Sequence, residues 1–401
     1  MTLQSVTRKS RVHPETGEGP AGIYVHIPFC QSKCPYCSFV SYQDMNVSVQ
    51  NRYMQALKHQ AHDMAGRPWS RARKFHSLFI GGGTPSSVDS EKTADFIAVC
   101  LEEFNFTARD NKGPEVTLEA NPNSLDAAML DRLRQAGVNR LSIGIQSFSD
   151  SMLRNIGRIH RAREGIKAFE SARAAGFDNI NLDLMYGLPN QDAAQWEKTL
   201  QQAVDLAPEH LSVYELTIEQ GTSFAEAASR NTLDLPHEEV TLSMFERAQE
   251  VLSGNGYRQY EISNYARHGF ECIHNINYWE NGSYIGLGSG AVSCFSGVRI
   301  KSEENPARFT QMIDTGLLPF KEAEFLDHCA RFRETVIMGL RMTEGVSTAR
   351  LENQFGLTPQ RFYGETLNRL IRQEFMVESG NRLRFTQRGL LLANWVMAQL
   401  V

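Results

Sequence analysis

The sequence predicts an α/β chain: a parallel sheet of six strand-helix units curled into part of a barrel, followed by a smaller, mostly helical module. Two patterns lead there. From Gly22 to Thr217 short β-branched or apolar runs alternate with longer stretches whose apolar residues recur every three or four positions, the period of a helix with one buried face. Successive parallel strands need crossover helices outside the sheet, and short crossovers curl it toward a barrel. In such folds the functional groups gather at the carboxyl ends of the strands. The conspicuous polar residues of this chain fall at those ends.

Residues 1–21 read as a flexible tail, because Met1 to Pro20 mixes Ser, Thr, Arg, Glu, Gly and Pro with almost no periodicity. The strands expected in the core, residues 22–235, are Ile23–His26, Ser77–Ile80, Glu115–Glu119, Arg140–Gly144, Ile180–Leu184 and His210–Leu216. Apolar stripes such as Leu125-Leu130-Leu133 and Trp196-Leu200-Val204 mark helices over Ser124–Ala136 and Ala193–Leu206. Residues 236–308 form an extension: a helix from Glu238 to Leu252, a stop at Gly254-Asn-Gly256, the strand-like Tyr257–Ile262, and a segment rich in aromatics and glycines from Ser263 to Ser296. Residues 309–401 carry helical patterns over Ala330–Leu340 and Pro359–Arg372. Phe375–Val377, a turn at Ser379-Gly380, Leu383–Phe385 and a helix from Gln387 follow. Helices followed by a short hairpin resemble a winged-helix module. Its basic residues do not cluster, so the module reads as a lid or interaction domain and not as a DNA reader.

At 401 residues the chain can hold two or three domains. A composition of 41% hydrophobic and 22% charged residues with net charge -5 is ordinary for a soluble protein and offers no surface for nucleic acid. No run approaches the roughly 20 apolar residues of a membrane span, and the N-terminus lacks the apolar core of a signal peptide. A cytoplasmic location is expected, where thiols stay reduced.

Three cysteines set the chemistry. Cys30-Gln-Ser-Lys-Cys34-Pro-Tyr-Cys37 follows the apolar run Gly22-Ile-Tyr-Val-His-Ile-Pro-Phe29. Three thiolates at this spacing can hold three irons of a [4Fe-4S] cube and leave the fourth iron open to a small molecule. Alone, Cys34-Pro-Tyr-Cys37 reads equally as a thioredoxin-like pair or half of a zinc site. Zinc needs a fourth ligand, and Cys100, Cys272, Cys294 and Cys329 are scattered singly. A redox pair leaves Cys30 unexplained. The other strand ends carry Gly81-Gly-Gly-Thr84, Glu119, Gln146, Asp183, Tyr214 and Glu215. Polar groups at successive strand ends suggest a shared cavity, since a buried polar side chain must be paired or face a ligand. Glu119, Gln146 and Asp183 could instead bond to loops that close the barrel.

The cysteine spacing resembles the signature of the radical S-adenosylmethionine (SAM) superfamily, so the fold expected is a partial parallel (β/α)6 radical SAM barrel. The resemblance implies a [4Fe-4S] cluster on Cys30, Cys34 and Cys37 whose open iron is chelated by SAM. Tyr24-x-His26-x-Pro28-x-Cys30, Glu119-Ala-Asn-Pro122, Gly144-Ile-Gln146-Ser-Phe148, Gly157-Arg158-x-His160 and Asn181-Leu-Asp183-Leu-x-Tyr186-Gly-Leu-Pro189 look like the oxygen-independent coproporphyrinogen III oxidases and their relatives. By that resemblance Gly83, Thr84, Glu119, Gln146, Arg158 and Asp183 contact SAM, and Tyr24 and Tyr36 pack against it or the cluster. The oxidases have a further cysteine where this chain has Phe39. The heme chaperone branch, HemW, carries Glu-x-x-Thr and His-Asn-x-x-Tyr-Trp segments, matched here by Glu219-Gln-Gly-Thr222 and His274-Asn275-Ile-Asn-Tyr278-Trp279.

An imidazole can ligate heme iron and aromatic rings can stack on the macrocycle, which makes His274 the candidate heme ligand and Cys272 its competitor. The chain departs from the chaperone pattern at Gly288-Ser-Gly290-Ala-Val292-Ser293, where relatives have Gly-x-Gly-Ala-His, and at Ser38, where they have an acidic residue. The resemblance implies a heme chaperone that delivers heme to an acceptor hemoprotein such as a respiratory enzyme. The alternative is a coproporphyrinogen III oxidase, or another porphyrin-modifying enzyme, that uses a 5'-deoxyadenosyl radical and takes electrons from a flavodoxin or ferredoxin. Both readings leave open a homodimer and a peripheral membrane contact through the acceptor.

Overall fold

The computed structural model of the protein describes residues 19–43, 46–107, 113–295 and 297–401. The tail expected over residues 1–21 lies outside the described residues as far as residue 18, and Ala21 already begins a strand. Six strands, β1 (Ala21–Ile27), β2 (Phe75–Gly82), β3 (Glu115–Ala120), β4 (Arg140–Gln146), β5 (Ile180–Tyr186) and β6 (His210–Glu215), lie side by side in parallel, in chain order. The helices α1 (Val47–Ala65), α2 (Ser90–Glu103), α3 (Ala127–Gln135), α4 (Ala162–Ala174) and α5 (Ala193–Leu206) make the crossovers. β1 is buried over almost its whole length, as expected of a parallel strand covered on both faces. Ile23, Val25, Leu78, Leu118, Ile143, Leu182 and Trp196 share one core. Each such side chain contributes roughly 1.5–3 kcal/mol on burial.

Caps set the helix starts. The Asp192 carboxylate accepts from the Gln195 backbone N–H at 2.7 Å, and the Gln195 side chain accepts from the Asp192 N–H at 2.9 Å, a reciprocal box that starts α5 where the sequence places it. α3 begins later than expected. Pro122–Ser124 forms a separate 3-10 turn, and Asp126 caps the helix by accepting from the Met129 N–H at 2.8 Å.

The sheet is wider than the sequence suggests. β9 (Tyr284–Leu287) adds in parallel beside β1, and β10 (Val292–Phe295), β11 (Val298–Ser302) and β12 (Phe320–Phe325) continue it antiparallel. On the other side β8 (Asn264–Ala266) and β7 (Arg258–Gln259) pair beyond β6, for twelve strands in all among the described residues. These added strands are two to six residues long and lie among glycines and aromatics, too short for a period to declare itself. Between them run α6 (Glu238–Gly254), α7 (Ile273–Trp279) and α8 (Pro306–Asp314). Phe309 is buried in the large core and β12 extends the large sheet. Residues 309–325, expected with the C-terminal module, therefore pack with the larger unit.

A second core joins Phe332, Leu340, Leu351, Leu370, Leu383 and Val396 around α9 (His328–Leu340) and a small sheet of β13 (Val346–Ser347), β14 (Met376–Ser379) and β15 (Arg382–Phe385). The helix predicted over Pro359–Arg372 is broken in two at Gly364, whose φ of 50° and ψ of -119° suit glycine and interrupt the ladder. No helix among the described residues is long and apolar enough to cross a membrane.

Candidate functional site

The cysteine loop is pinned at both ends to the strand that precedes it. The Tyr42 N–H donates to Pro28 O at 2.7 Å, the Cys30 N–H donates to Tyr42 O at 3.0 Å, and a turn closes between Cys37 N–H and Cys34 O at 3.1 Å. The glycine loop after β2 docks on it: Gly83 N–H donates to Ile27 O, and Thr84 N–H to Phe29 O, each at 2.8 Å. A Cβ on Gly83 would lie 2.7 Å from Phe29 O and 3.0 Å from Cys30 Sγ. Glycine is what allows the two loops to meet. Cys30 is buried, and Cys34 and Cys37 are half-buried. Burial first, and then the neighbouring thiols, push the Cys37 thiol up; Cys30 is also pushed up, chiefly by burial. Thiols that resist ionisation in the bare protein, as Cys30 and Cys37 do, suit a cationic iron centre, which stabilises thiolates.

Thr84, Arg158 and Cys34 are joined through a residue that the sequence reading did not assign. Asn121 donates from Nδ2 to Thr84 Oγ1 at 2.9 Å and accepts on Oδ1 from Arg158 Nη2 at 2.6 Å. Arg158 also donates to Gly144 O at 2.7 Å and lies 3.9 Å from Cys34 Sγ. A signal was present: a polar residue directly past β3, held extended by Pro122. Gln146 ends β4 at a positive φ of 65°, beside a shift in register with β5. The missing Cβ of Gly144 would sit 3.1 Å from Gln146 Nε2 and 3.3 Å from Arg158 Nη2. Tyr36 packs on Phe224, rings 6.3 Å apart, over a small apolar cluster that includes Met152, Ile156 and Leu188.

Two carboxyls face the same interior. Glu119 accepts from the Gly82 N–H at 3.1 Å, yet burial, assisted by the charge of Asp183, pushes its pKa up to about 8. Burial also raises Asp183, against bonds from Asn181 Nδ2 at 2.7 Å and Ser142 Oγ at 3.3 Å. Asn181 Oδ1 accepts from Ser212 Oγ at 3.1 Å and from His210 Nδ1 at 2.6 Å. Since that amide oxygen can only accept, the proton of His210 sits on Nδ1, and Nε2 accepts from Tyr260 OH at 2.9 Å. Arg140, fully buried, opposes the rise at both carboxyls. The sequence did not reveal this network of Ser142, Asn181, His210 and Ser212, because polar residues inside a strand carry no period of their own.

His274 lies elsewhere. It is 1% exposed, its Nδ1 is 2.9 Å from Ser77 Oγ, and its ring stacks on Phe79 at 5.1 Å with Tyr278 edge-on at 4.9 Å. Burial lowers its pKa to about 3. Tyr24 stands alongside, 6.5 Å from His274 between ring centres, with its hydroxyl 3.0 Å from His26 Nδ1. The Glu115 carboxylate anchors the start of α7 by accepting from the Ile273 and His274 N–H groups at 3.0 Å, and Cys272 Sγ is 3.4 Å from it. Burial pushes the Cys272 thiol up to about 12. A cavity of about 1030 Å³ at Ile273 and Ile276 has a mixed lining that includes Asp131, Arg134, Asp178, His268 and Glu271. None of the residues expected to bind SAM, cluster or heme lines it.

Residues 24–203 match the Radical SAM superfamily and residues 326–392 the HemN C-terminal domain. The heme chaperone HemW of Bacillus subtilis is 35% identical over 93% of this chain and 97% of its own. The chain belongs to the HemW family. The HemW of Escherichia coli is 40% identical over 68% of this chain and 69% of its own. The coproporphyrinogen III oxidase HemN of Escherichia coli, described as a radical SAM enzyme, superposes with a TM-score of 0.84 over 100% of this chain and 93% of that one, at 23% identity. That likeness establishes the shared fold. Membership of the radical SAM superfamily implies a [4Fe-4S] cluster and SAM.

Proposed function

We propose that this member of the HemW family is a heme chaperone that holds a [4Fe-4S] cluster on Cys30, Cys34 and Cys37, binds SAM beside it, and passes heme to an acceptor hemoprotein in a reducing compartment such as the cytoplasm. Family membership over nearly the whole chain carries the reading. A bound cluster would offer one open iron to the amino and carboxylate groups of SAM. On this reading SAM would lie against the Gly82 to Thr84 backbone, Gln146 and Arg158, with Tyr36 beside it.

Glu119 and Asp183 give the site a preference for a cation. Both are raised by burial, so a positively charged ligand draws them toward ionisation and is held in turn. SAM carries a sulfonium and an ammonium group. At neutral pH its arrival should therefore expel a proton from Glu119.

The oxidase reading has less support. Phe39, where the oxidases carry a further cysteine, is 64% exposed and ligates nothing. The test is anaerobic: the reconstituted protein is titrated with hemin, and separately incubated with reductant, SAM and coproporphyrinogen III. Saturation near one heme per chain without formation of protoporphyrinogen IX supports the chaperone. Turnover of the porphyrinogen without heme binding would replace it with the oxidase.

A further inference from the structure

One amide holds both side chains that approach the sulfurs of Cys30 and Cys34. Thr84 Oγ1 lies 3.5 Å from Cys30 Sγ, and Arg158 Nη1 lies 3.9 Å from Cys34 Sγ. Asn121 stands between Thr84 and Arg158 and bonds to both. Its own backbone is pinned. Asn121 follows β3 directly, its N–H donates to Ser86 Oγ at 3.2 Å, and its carbonyl accepts from the Ser124 N–H at 3.0 Å and from Ser124 Oγ at 2.8 Å. Pro122 behind it keeps it extended.

The direction of each bond follows from the guanidinium. Arg158 can only donate, so the Asn121 amide turns its oxygen to Arg158, at 2.6 Å, and its nitrogen to Thr84, at 2.9 Å. A flipped amide would set N–H against N–H. Thr84 Oγ1 therefore accepts from Asn121, and its single proton is left to donate to Cys30 Sγ. Arg158 Nη2 uses its two protons on Asn121 Oδ1 and on Gly144 O, the latter at 2.7 Å. Those two bonds fix the plane of the guanidinium with Nη1 toward Cys34 Sγ. Without the amide the Thr84 hydroxyl is free to turn away from the sulfur, and Arg158 keeps only one of the two anchors on Nη2.

We propose that Asn121 is a positioning residue that aims the Thr84 hydroxyl at Cys30 Sγ and the Arg158 guanidinium at Cys34 Sγ, and so raises the reduction potential of a cluster held there. The proposal rests on the [4Fe-4S] reading of Cys30, Cys34 and Cys37 and adds what sets the readiness of that cluster to take an electron. Reduction adds negative charge that the ligand sulfurs share, and donors aimed at those sulfurs, a cation above all, stabilise the reduced state over the oxidised one. Such donors act only while the residues behind them hold them in place. One amide thereby governs donors to two of the three thiolates.

Anaerobic redox titration of the cluster-reconstituted full chain, without SAM and followed by absorption and electron paramagnetic resonance, tests this with Asn121→Ala, Thr84→Val and the double variant. Circular dichroism and iron content establish that each is folded and loaded. Asn121→Ala is expected to lower the ratio of reduced to oxidised cluster about tenfold at a fixed potential, a shift of about 59 mV to more negative values for one electron. Thr84→Val removes one donor and should act in the same direction by less. Asn121→Ala made on Thr84→Val should then lower the ratio by less than it does on the wild-type chain, because one of its two routes is already gone. A potential unchanged or raised in Asn121→Ala, or an equal fall on both backgrounds, would overturn the proposal. If Asn121→Ala does not load, Thr84→Val decides alone: a lowered potential sustains the proposal and an unchanged one overturns it. A wild-type chain that assembles no four-iron cluster would sink the cluster reading itself, a separate result.

Discussion

The cysteine rim and the His274 helix occupy one fold but differ in readiness. At the rim, Cys34 and Cys37 are half-buried, and the surrounding loops are fixed by main-chain bonds from Gly83, Thr84 and Tyr42. A ligand arriving there needs little rearrangement. At the helix, the imidazole is 1% exposed and faces Ser77, and Arg341 covers the indole of Trp279. A ligand there must first displace protein. Two motifs equally plain in sequence are thus one preorganised and one latent, and the difference lies in what packs on them.

The rim should be the easier region to break. Replacing Cys34 or Cys37 with Ala removes one of the three thiolates proposed to hold the cluster, and iron content and cluster absorption after anaerobic reconstitution should fall to background. Retention of a full cluster would mean another ligand substitutes.

Gly83→Ala forces a Cβ to within 2.7 Å of Phe29 O, so it should cost about 1–3 kcal/mol, as overpacking does. Denaturant melts measure that cost, and SAM affinity measured on the same variant should fall with it. At the helix, His274→Ala should abolish stoichiometric hemin binding and leave SAM binding intact, as judged by titration of both ligands.

The pH responses of the two regions run in opposite directions. His274 has its folded pKa lowered to about 3, below an unfolded value of about 6.5. It contributes stability that is present above pH ~6.5 and is lost as the pH falls toward 3. Glu119 has its folded pKa raised to about 8, above an unfolded value of about 4.3, so the folded state binds more protons in between. Its burial is tolerated at acid pH and becomes destabilising as the pH rises from ~4.3 through 8. Melts of the bare protein should show Glu119→Gln gaining on wild type between pH 5 and about 8.5. Parallel curves would mean that Glu119 stays ionised.

The six parallel strands were legible because their runs are short and rich in apolar residues, as with Leu141, Ile143 and Ile145 around the small Ser142 and Gly144. The rim was legible because its residues come in local blocks after each strand. The added strands were not, since β9 is only four residues long and includes Gly286, whose Cβ would lie 2.2 Å from Val292 O. Asn121 stood in a quoted motif, but its role depends on Thr84 and Arg158, partners 37 positions away on either side that no local pattern relates. His274 was legible as a chemical group and illegible as a buried one, because its cover comes from Ser77, Phe79 and Tyr24 on other strands.

The contrast between a ready rim and a latent helix is most directly tested by binding kinetics in the anaerobic, cluster-reconstituted protein. Association rates for SAM and for hemin are measured across rising ligand concentration. The account predicts a rate for SAM that grows in proportion to its concentration, and a rate for hemin that levels off at the rate at which the protein uncovers His274. A hemin rate that rises linearly over the same range would contradict it.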